Sequence, residues 1–155
     1  GMPACGKSTV GAVLAEKLGR EFFDTDEMIE KAENMKISDI FARHGEKYFR
    51  NAETRVIRSL ENKTGAVIST GGGSVLREEN VRSLKANGKI FFLDRDLKFL
   101  LPTDTRPLAA TAEDIKKRYA ERIGTYISSA DIRVLPRRTP EGTAQIILKE
   151  AEENT

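Results

Sequence analysis

A chain of 155 residues suits one compact domain and is too short for two. Hydrophobic residues at 39% and charged residues at 32% allow a buried core in a soluble protein, and no apolar run is long enough for a membrane span. The net charge of +2 is dispersed, which argues against nucleic acid as a partner, and the one cysteine, Cys5, excludes an internal disulfide and a cysteine-built zinc site. Lys7 and Ser8 stand where a signal peptide would be apolar, so a cytosolic enzyme is expected.

Helix and strand patterns alternate along the chain. Val10, Val13, Leu14 and Leu18 form a helical stripe that Gly19 is placed to end. Glu21 to Asp24 reads as a short strand, and Asp26 to Glu33 as a helix. Ser38 is expected to cap a turn holding Ile40 and Phe41, before a longer helix with Phe49, Ala52, Val56 and Leu60 on one face. Ala66 to Ser69 reads as a buried strand running into Gly71-Gly72-Gly73. A helix over Arg77 to Ala86, a strand over Lys89 to Leu93 and a loop over Pro102 to Thr111 follow. Thr111 can cap a helix carrying Arg118 and Arg122, Asp131 to Leu135 is a further strand, and Thr139-Pro140 opens the last helix. The alternation predicts an α/β fold whose parallel sheet is covered on both faces.

Gly1-Met2-Pro3-Ala4-Cys5-Gly6-Lys7-Ser8 fits the phosphate-loop pattern G-x-x-x-x-G-K-[ST]. Its glycines let backbone N–H groups turn toward an anion, and the following helix aims its positive dipole end at the same place. Pro3, Ala4, Cys5, Gly6, Lys7, Ser8 and Thr9 are therefore the candidate nucleotide-binding residues. Lys7 can reach the outer phosphates and the Ser8 hydroxyl can ligate magnesium. Cys5 is either a redox-sensitive thiol or a small residue tolerated in the loop. Asp24-Thr25-Asp26 lies at the carboxyl end of a strand, the edge where open parallel sheets bind ligands. One carboxylate there can hold a magnesium-bound water while the other accepts from a substrate hydroxyl, or either can simply cap the next helix. The triple glycine permits close approach of a ligand to main-chain N–H groups, or is a flexible turn. Arg50, Arg106 and Arg122 have the fork that suits carboxylate or phosphate, although a solvated helix face explains any single one.

The phosphate loop, Asp24-Thr25-Asp26, Phe49-Arg50, Glu53, Thr70-Gly71-Gly72-Gly73, Arg106-Pro107-Leu108 and Arg122 with Tyr126 occur in order. Together they resemble the shikimate kinase family over nearly the whole chain. The resemblance implies a three-layer α/β/α fold, like that of the nucleoside-monophosphate kinases, with a parallel sheet in strand order 2-3-1-4-5. It also implies transfer of the ATP γ-phosphoryl group to the 3-hydroxyl of shikimate, on the route to chorismate and the aromatic amino acids, with ATP and Mg2+ required. By matching position, Asp26 holds the ring hydroxyls and orients or deprotonates the attacking one. Arg50 and Arg122 clamp the substrate carboxylate, Gly72 and Gly73 offer backbone contacts, and Glu53 supports Arg50. Asp24 acts on magnesium through water, Arg106 comes from a lid at about 102–112, and Arg138 and Pro140 lie near the adenine. The family is usually monomeric.

A phosphate loop ordinarily follows a buried strand, and no strand can precede Gly1 in this sequence. The expectation is either a shortened chain or loss of the central strand. Loss would leave two parallel edges unpaired, remove the anchor of the phosphate loop and favour unusual self-association. Two other readings follow: another small-metabolite kinase, such as a gluconate kinase, or a non-catalytic remnant of the domain. The stretch from Leu97 to Thr105 holds no arginine to stack on adenine.

Overall fold

The computed structural model describes residues 1–101 and 111–155. Helix α1, Lys7–Leu18, follows the phosphate loop and closes at Gly19. Strand β1, Glu21–Asp24, leads directly into α2, Thr25–Glu33. Helix α3, Ile37–Ser59, precedes β2, Ala66–Ser69, and a 3-10 turn, Ser74–Leu76, leads to α4, Glu78–Lys85; a second 3-10 turn, Leu97–Phe99, lies later in the chain. Strand β3, Phe91–Leu93, then α5, Ala112–Ser129, β4, Ile132–Val134, and α6, Pro140–Glu153, complete the described residues.

The expected strands all form, with β3 and β4 shorter than their apolar runs. Strands β1 and β2 pair in parallel from Glu21 opposite Ala66 to Asp24 opposite Ser69. Strands β3 and β4 pair in parallel from Phe91 opposite Ile132 to Leu93 opposite Val134. Among the described residues the two pairs share no ladder. Between them lies a cavity of about 540 Å³, lined by β2 from Ala66 to Ser69, β3 from Phe91 to Leu93, Val10 and Leu14 of α1, and Ile147 of α6. Strands β2 and β3 both line this apolar trench.

Capping explains most helix starts. The Thr111 hydroxyl accepts from the Asp114 N–H while Asp114 accepts from the Thr111 N–H, a reciprocal capping box. Thr139 accepts from the Gly142 N–H ahead of Pro140. Ser38 does not cap: α3 begins one residue earlier, with Lys36 at its N-cap and no side-chain cap bond. The Ile37 N–H is taken instead by Glu30 of α2 at 2.9 Å, so a neighbouring helix replaces the local cap. Helix α3 also breaks at Gly45, whose φ of 83° lies in the left-handed region that glycine tolerates.

Two apolar clusters support the site from opposite sides. The larger joins Met2, Cys5 and Val10 of the loop and α1 to Phe92, Tyr126, Val134 and Ile147. The smaller joins Ile29 of α2 to Ile40, Phe49, Ala52 and Val56 of α3. Full burial of side chains this size contributes roughly 1.5–3 kcal/mol each. The smaller cluster fixes the α2–α3 pair, and thereby Asp26 and Arg50.

Candidate active site

The phosphate loop folds around left-handed residues, Ala4 at φ 63° and Gly6 at φ 96°. Gly6 is the N-cap of α1 and supplies no side-chain cap; its carbonyl accepts the first helical bond, from Val10 N–H at 2.9 Å. The N–H groups of Lys7, Ser8 and Thr9 consequently have no partner within the helix, and no acid occupies its first turn. A bare, positively polarised helix end is a fit for phosphate oxygens. Pro3, Ala4, Ser8 and Thr9 are exposed there, whereas the Cys5 side chain is fully buried. Burial makes Cys5 a core residue and not an accessible redox thiol.

The loop is anchored, contrary to expectation, by side chains. Lys7 Nζ donates to the carbonyls of Gly1 and Met2, both at 2.9 Å. Met2 is 3% exposed and meets the Tyr126 hydroxyl through its sulfur at 3.9 Å. Arg95 Nε donates to the Cys5 carbonyl at 3.1 Å. Gly1 packs so closely that an added Cβ would sit 2.6 Å from the Leu93 carbonyl oxygen.

Asp24 serves two partners at once. Oδ1 accepts from the Asp26 and Glu27 N–H groups at 2.9 and 3.3 Å, capping α2. Oδ2 accepts from the Ser8 hydroxyl at 2.5 Å, so strand β1 is tied to the phosphate loop. Capping and a place at the phosphate end are therefore one arrangement. Ser69, at the end of β2, brings its hydroxyl to 3.4 Å from that of Ser8. A serine hydroxyl beside a carboxylate, next to a phosphate-binding helix end, is a donor set suited to Mg2+.

Asp26, Glu53 and Arg50 converge on the triple glycine. A Cβ on Gly71 would lie 2.9 Å from Asp26 Oδ1 and 3.1 Å from Glu53 Oε2; one on Gly73 would lie 2.4 Å from both terminal nitrogens of Arg50; one on Gly72 would lie 2.8 Å from Pro3 Cδ. The glycines are therefore needed for space, since none of the three has a positive φ. Close packing, rather than a flexible turn, is the reading these distances support. The Gly71 N–H itself donates to Thr25 Oγ1 at 3.3 Å.

Glu53 is fully buried, with Oε1 taking Arg50 Nη1 at 2.9 Å and Oε2 taking the Ser74 hydroxyl at 2.9 Å. Arg50 Nε is buried and has no hydrogen-bond partner; the Glu46 carboxylate is 3.6 Å away, beyond hydrogen-bond reach. Burial, then the charges of Asp24 and Glu53, raise the Asp26 carboxyl above its ordinary 3.8. The pocket thus joins an orphaned guanidinium donor to a carboxylate of raised basicity.

Arg122 lies beside the Tyr126 hydroxyl, which donates to the Gly72 carbonyl at 2.5 Å. Helix α5 thereby brings Arg122 to the same three glycines. Arg138 is exposed and Pro140 half-buried at the start of α6, which packs along α1; among the described residues neither forms a hydrogen bond or ion pair with the phosphate loop. Arg106 and most of the expected lid lie outside the described residues.

Thr25, Ser69 and Arg95 join the site without having been singled out in the sequence. Thr25 and Ser69 carried a usable signal, a small hydroxyl residue at the carboxyl end of a strand. Arg95 carried the same positional signal after β3, but a lone charged residue after a strand is common on any surface.

The family model described as shikimate kinase matches residues 3–152. The shikimate kinase of Sulfurihydrogenibium sp. (strain YO3AOP1) is 41% identical over 96% of this chain and 92% of its own length. Among solved structures, a shikimate kinase from Acinetobacter baumannii in complex with shikimate aligns with a TM-score of 0.89 at 29% identity, over 100% of this chain and 91% of that one. The shikimate kinase of Aquifex aeolicus aligns with a TM-score of 0.86 at 35% identity, over 99% of this chain and 94% of that one.

Proposed function

The chain belongs to the shikimate kinase family, and from that premise we propose that it transfers the γ-phosphoryl group of ATP to the 3-hydroxyl of shikimate in the supply of chorismate for aromatic amino acids. The observation that carries the substrate assignment is the buried, unpartnered Nε of Arg50, set against Gly73 and across the glycines from Asp26. A hydroxylated ring acid satisfies both ends of such a pocket. Its carboxylate meets Arg50 and Arg122, and its hydroxyls meet Asp26.

Asp26 takes the proton of the attacking hydroxyl as its oxygen bonds to the γ-phosphorus and ADP departs. The raised basicity of the carboxyl suits that task. Gly72 and Gly73 bring main chain close to the ring, and Glu53 holds Arg50 in its rotamer. Lys7 and the N–H groups of Gly6, Lys7, Ser8 and Thr9 hold the phosphates, with Pro3, Ala4 and Cys5 shaping the loop and Arg138 and Pro140 flanking the base. Ser8 and Asp24 hold Mg2+, which when bound neutralises charge on the phosphate oxygens. Arg106 belongs to the same phosphate end by its place in the family pattern. We assign the reaction to the cytoplasm and the chain to a single catalytic unit; no described helix is long and apolar enough to cross a membrane.

Offering shikimate, gluconate and nucleoside monophosphates with ATP, and following ADP, tests this directly. ADP release is expected with shikimate alone. Release with gluconate and not with shikimate would reverse the assignment.

A further inference from the structure

Arg95 has a place in the site that the proposed mechanism does not use. It follows β3 at the carboxyl end of the sheet, one residue after Asp94. Asp94 is 7% exposed and pinned from two elements. Its N–H donates to the Val134 carbonyl at 2.9 Å, its carboxylate takes the Arg133 guanidinium through Nε at 2.8 Å, and it takes the Tyr119 hydroxyl at 3.2 Å. The direction in which the chain presents Arg95 is therefore fixed by β4 and α5.

The Arg95 side chain crosses to the phosphate loop. Nε donates to the Cys5 carbonyl, and the Nη2 atom lies 3.7 Å from where a Cβ on Gly6 would stand. No other hydrogen bond or ion pair of this guanidinium occurs among the described residues. The only acid next to it in sequence on the strand side, Asp94, is occupied by Arg133. A planar fork is thus held by one nitrogen on the loop's own backbone, with its remaining N–H donors beside the bare N–H groups that open α1. Two positive features converge, and among the described residues the Arg95 guanidinium has no ion pair.

Resting on the kinase reading above, we propose that Arg95 is a nucleotide-contacting residue that binds the α/β-phosphate oxygens while bracing the phosphate loop. Phosphate is the chemistry the geometry selects, because a guanidinium fork and a bare helix N-terminus both bind phosphate oxygens, and Arg95 Nη2 lies beside Gly6, the N-cap of that helix. The arrangement also gives the loop a brace from β3, a strand on the far side of the apolar trench from β2.

Calorimetric titration of the full chain with ADP and with inorganic tripolyphosphate, for the parent, Arg95→Met and Arg95→Lys, tests the assignment. Charge-assisted bonds of this kind are strong, so Arg95→Met is expected to weaken ADP and tripolyphosphate alike, by about tenfold or more. Arg95→Lys should recover part of that loss for both. Shikimate affinity and its KM should stay at the parent's values, and the KM for ATP should rise in step with the ADP dissociation constant. Loss of ADP affinity with tripolyphosphate unchanged would overturn the proposal by placing Arg95 on the base. Equal losses for shikimate and nucleotide would overturn it in favour of a purely structural brace. Parent-like ADP binding in Arg95→Met would overturn it outright while leaving the kinase reading intact. A parent chain that binds neither ADP nor tripolyphosphate would remove the kinase reading and this inference together.

Discussion

The two ends of the site are built on opposite principles. At the ring-acid end the contacts are charged side chains locked to one another: Arg50 to Glu53, Glu53 to Ser74, Asp26 against Gly71. At the phosphate end they are main-chain N–H groups, shaped by two left-handed residues and braced by Lys7 and Arg95. The first end is specific because each side chain has one permitted position. The second is general, because a helix end reads negative charge and little else. Substrate identity should therefore fail at the first end and nucleotide affinity at the second.

The largest separation should come from Asp26→Asn. Loss of a general base costs about 10²–10⁴-fold, so turnover should collapse in a coupled ADP assay while ATP affinity stays near the parent's. An unchanged kcat would remove Asp26 from the mechanism. Lys7→Ala should do the reverse in kind, lowering nucleotide affinity and turnover together by roughly 10²-fold in kcat/KM for ATP. Gly73→Ala sharpens the contrast: its new methyl meets Arg50, so the KM for shikimate should rise about ten- to a hundredfold with ADP binding untouched. Glu53→Gln leaves a buried guanidinium with a weaker partner, and denaturant unfolding should show a loss of about 1–3 kcal/mol.

The smallest effect concerns pH and stability at Asp26. Its carboxyl is raised in the folded chain, so the folded state holds that proton more tightly than the unfolded one. Stability tied to the neutral form is present at low pH and is lost as pH climbs from 3.8 through the higher folded value. At neutral pH Asp26→Asn should therefore melt slightly above the parent. In the parent, the acidic limb of kcat/KM for shikimate should have its midpoint above that of an ordinary aspartate.

Local chemistry made much of this legible. The phosphate loop, the Thr111 and Thr139 caps and the strands are contiguous patterns, and contiguous patterns survive folding. Arg50 and Glu53, three residues apart on a helix, meet as that spacing requires. What failed was information carried between elements. Ser38 looked like a cap because the sequence does not show that Glu30 from α2 takes the Ile37 N–H. The triple glycine suggested close approach of a ligand to main chain; that it also makes room for Asp26, Pro3 and Arg50, which arrive from three other segments, is not visible in the sequence. Arg95 carried only the weak signal of a charged residue after a strand, since its partner is a carbonyl 90 residues earlier in the chain.

The trench between β2 and β3 has a consequence for solvent exchange. In a parallel ladder, successive N–H groups of a strand point alternately to its two neighbours. In β2 and β3, one alternate set is bonded to β1 or β4 and the other opens on the trench. Amide deuteration along Ala66–Ser69 and Phe91–Leu93 therefore reads the state of that space: alternate fast and slow uptake, residue by residue, where it is open to water, and uniformly slow uptake where a further strand fills it.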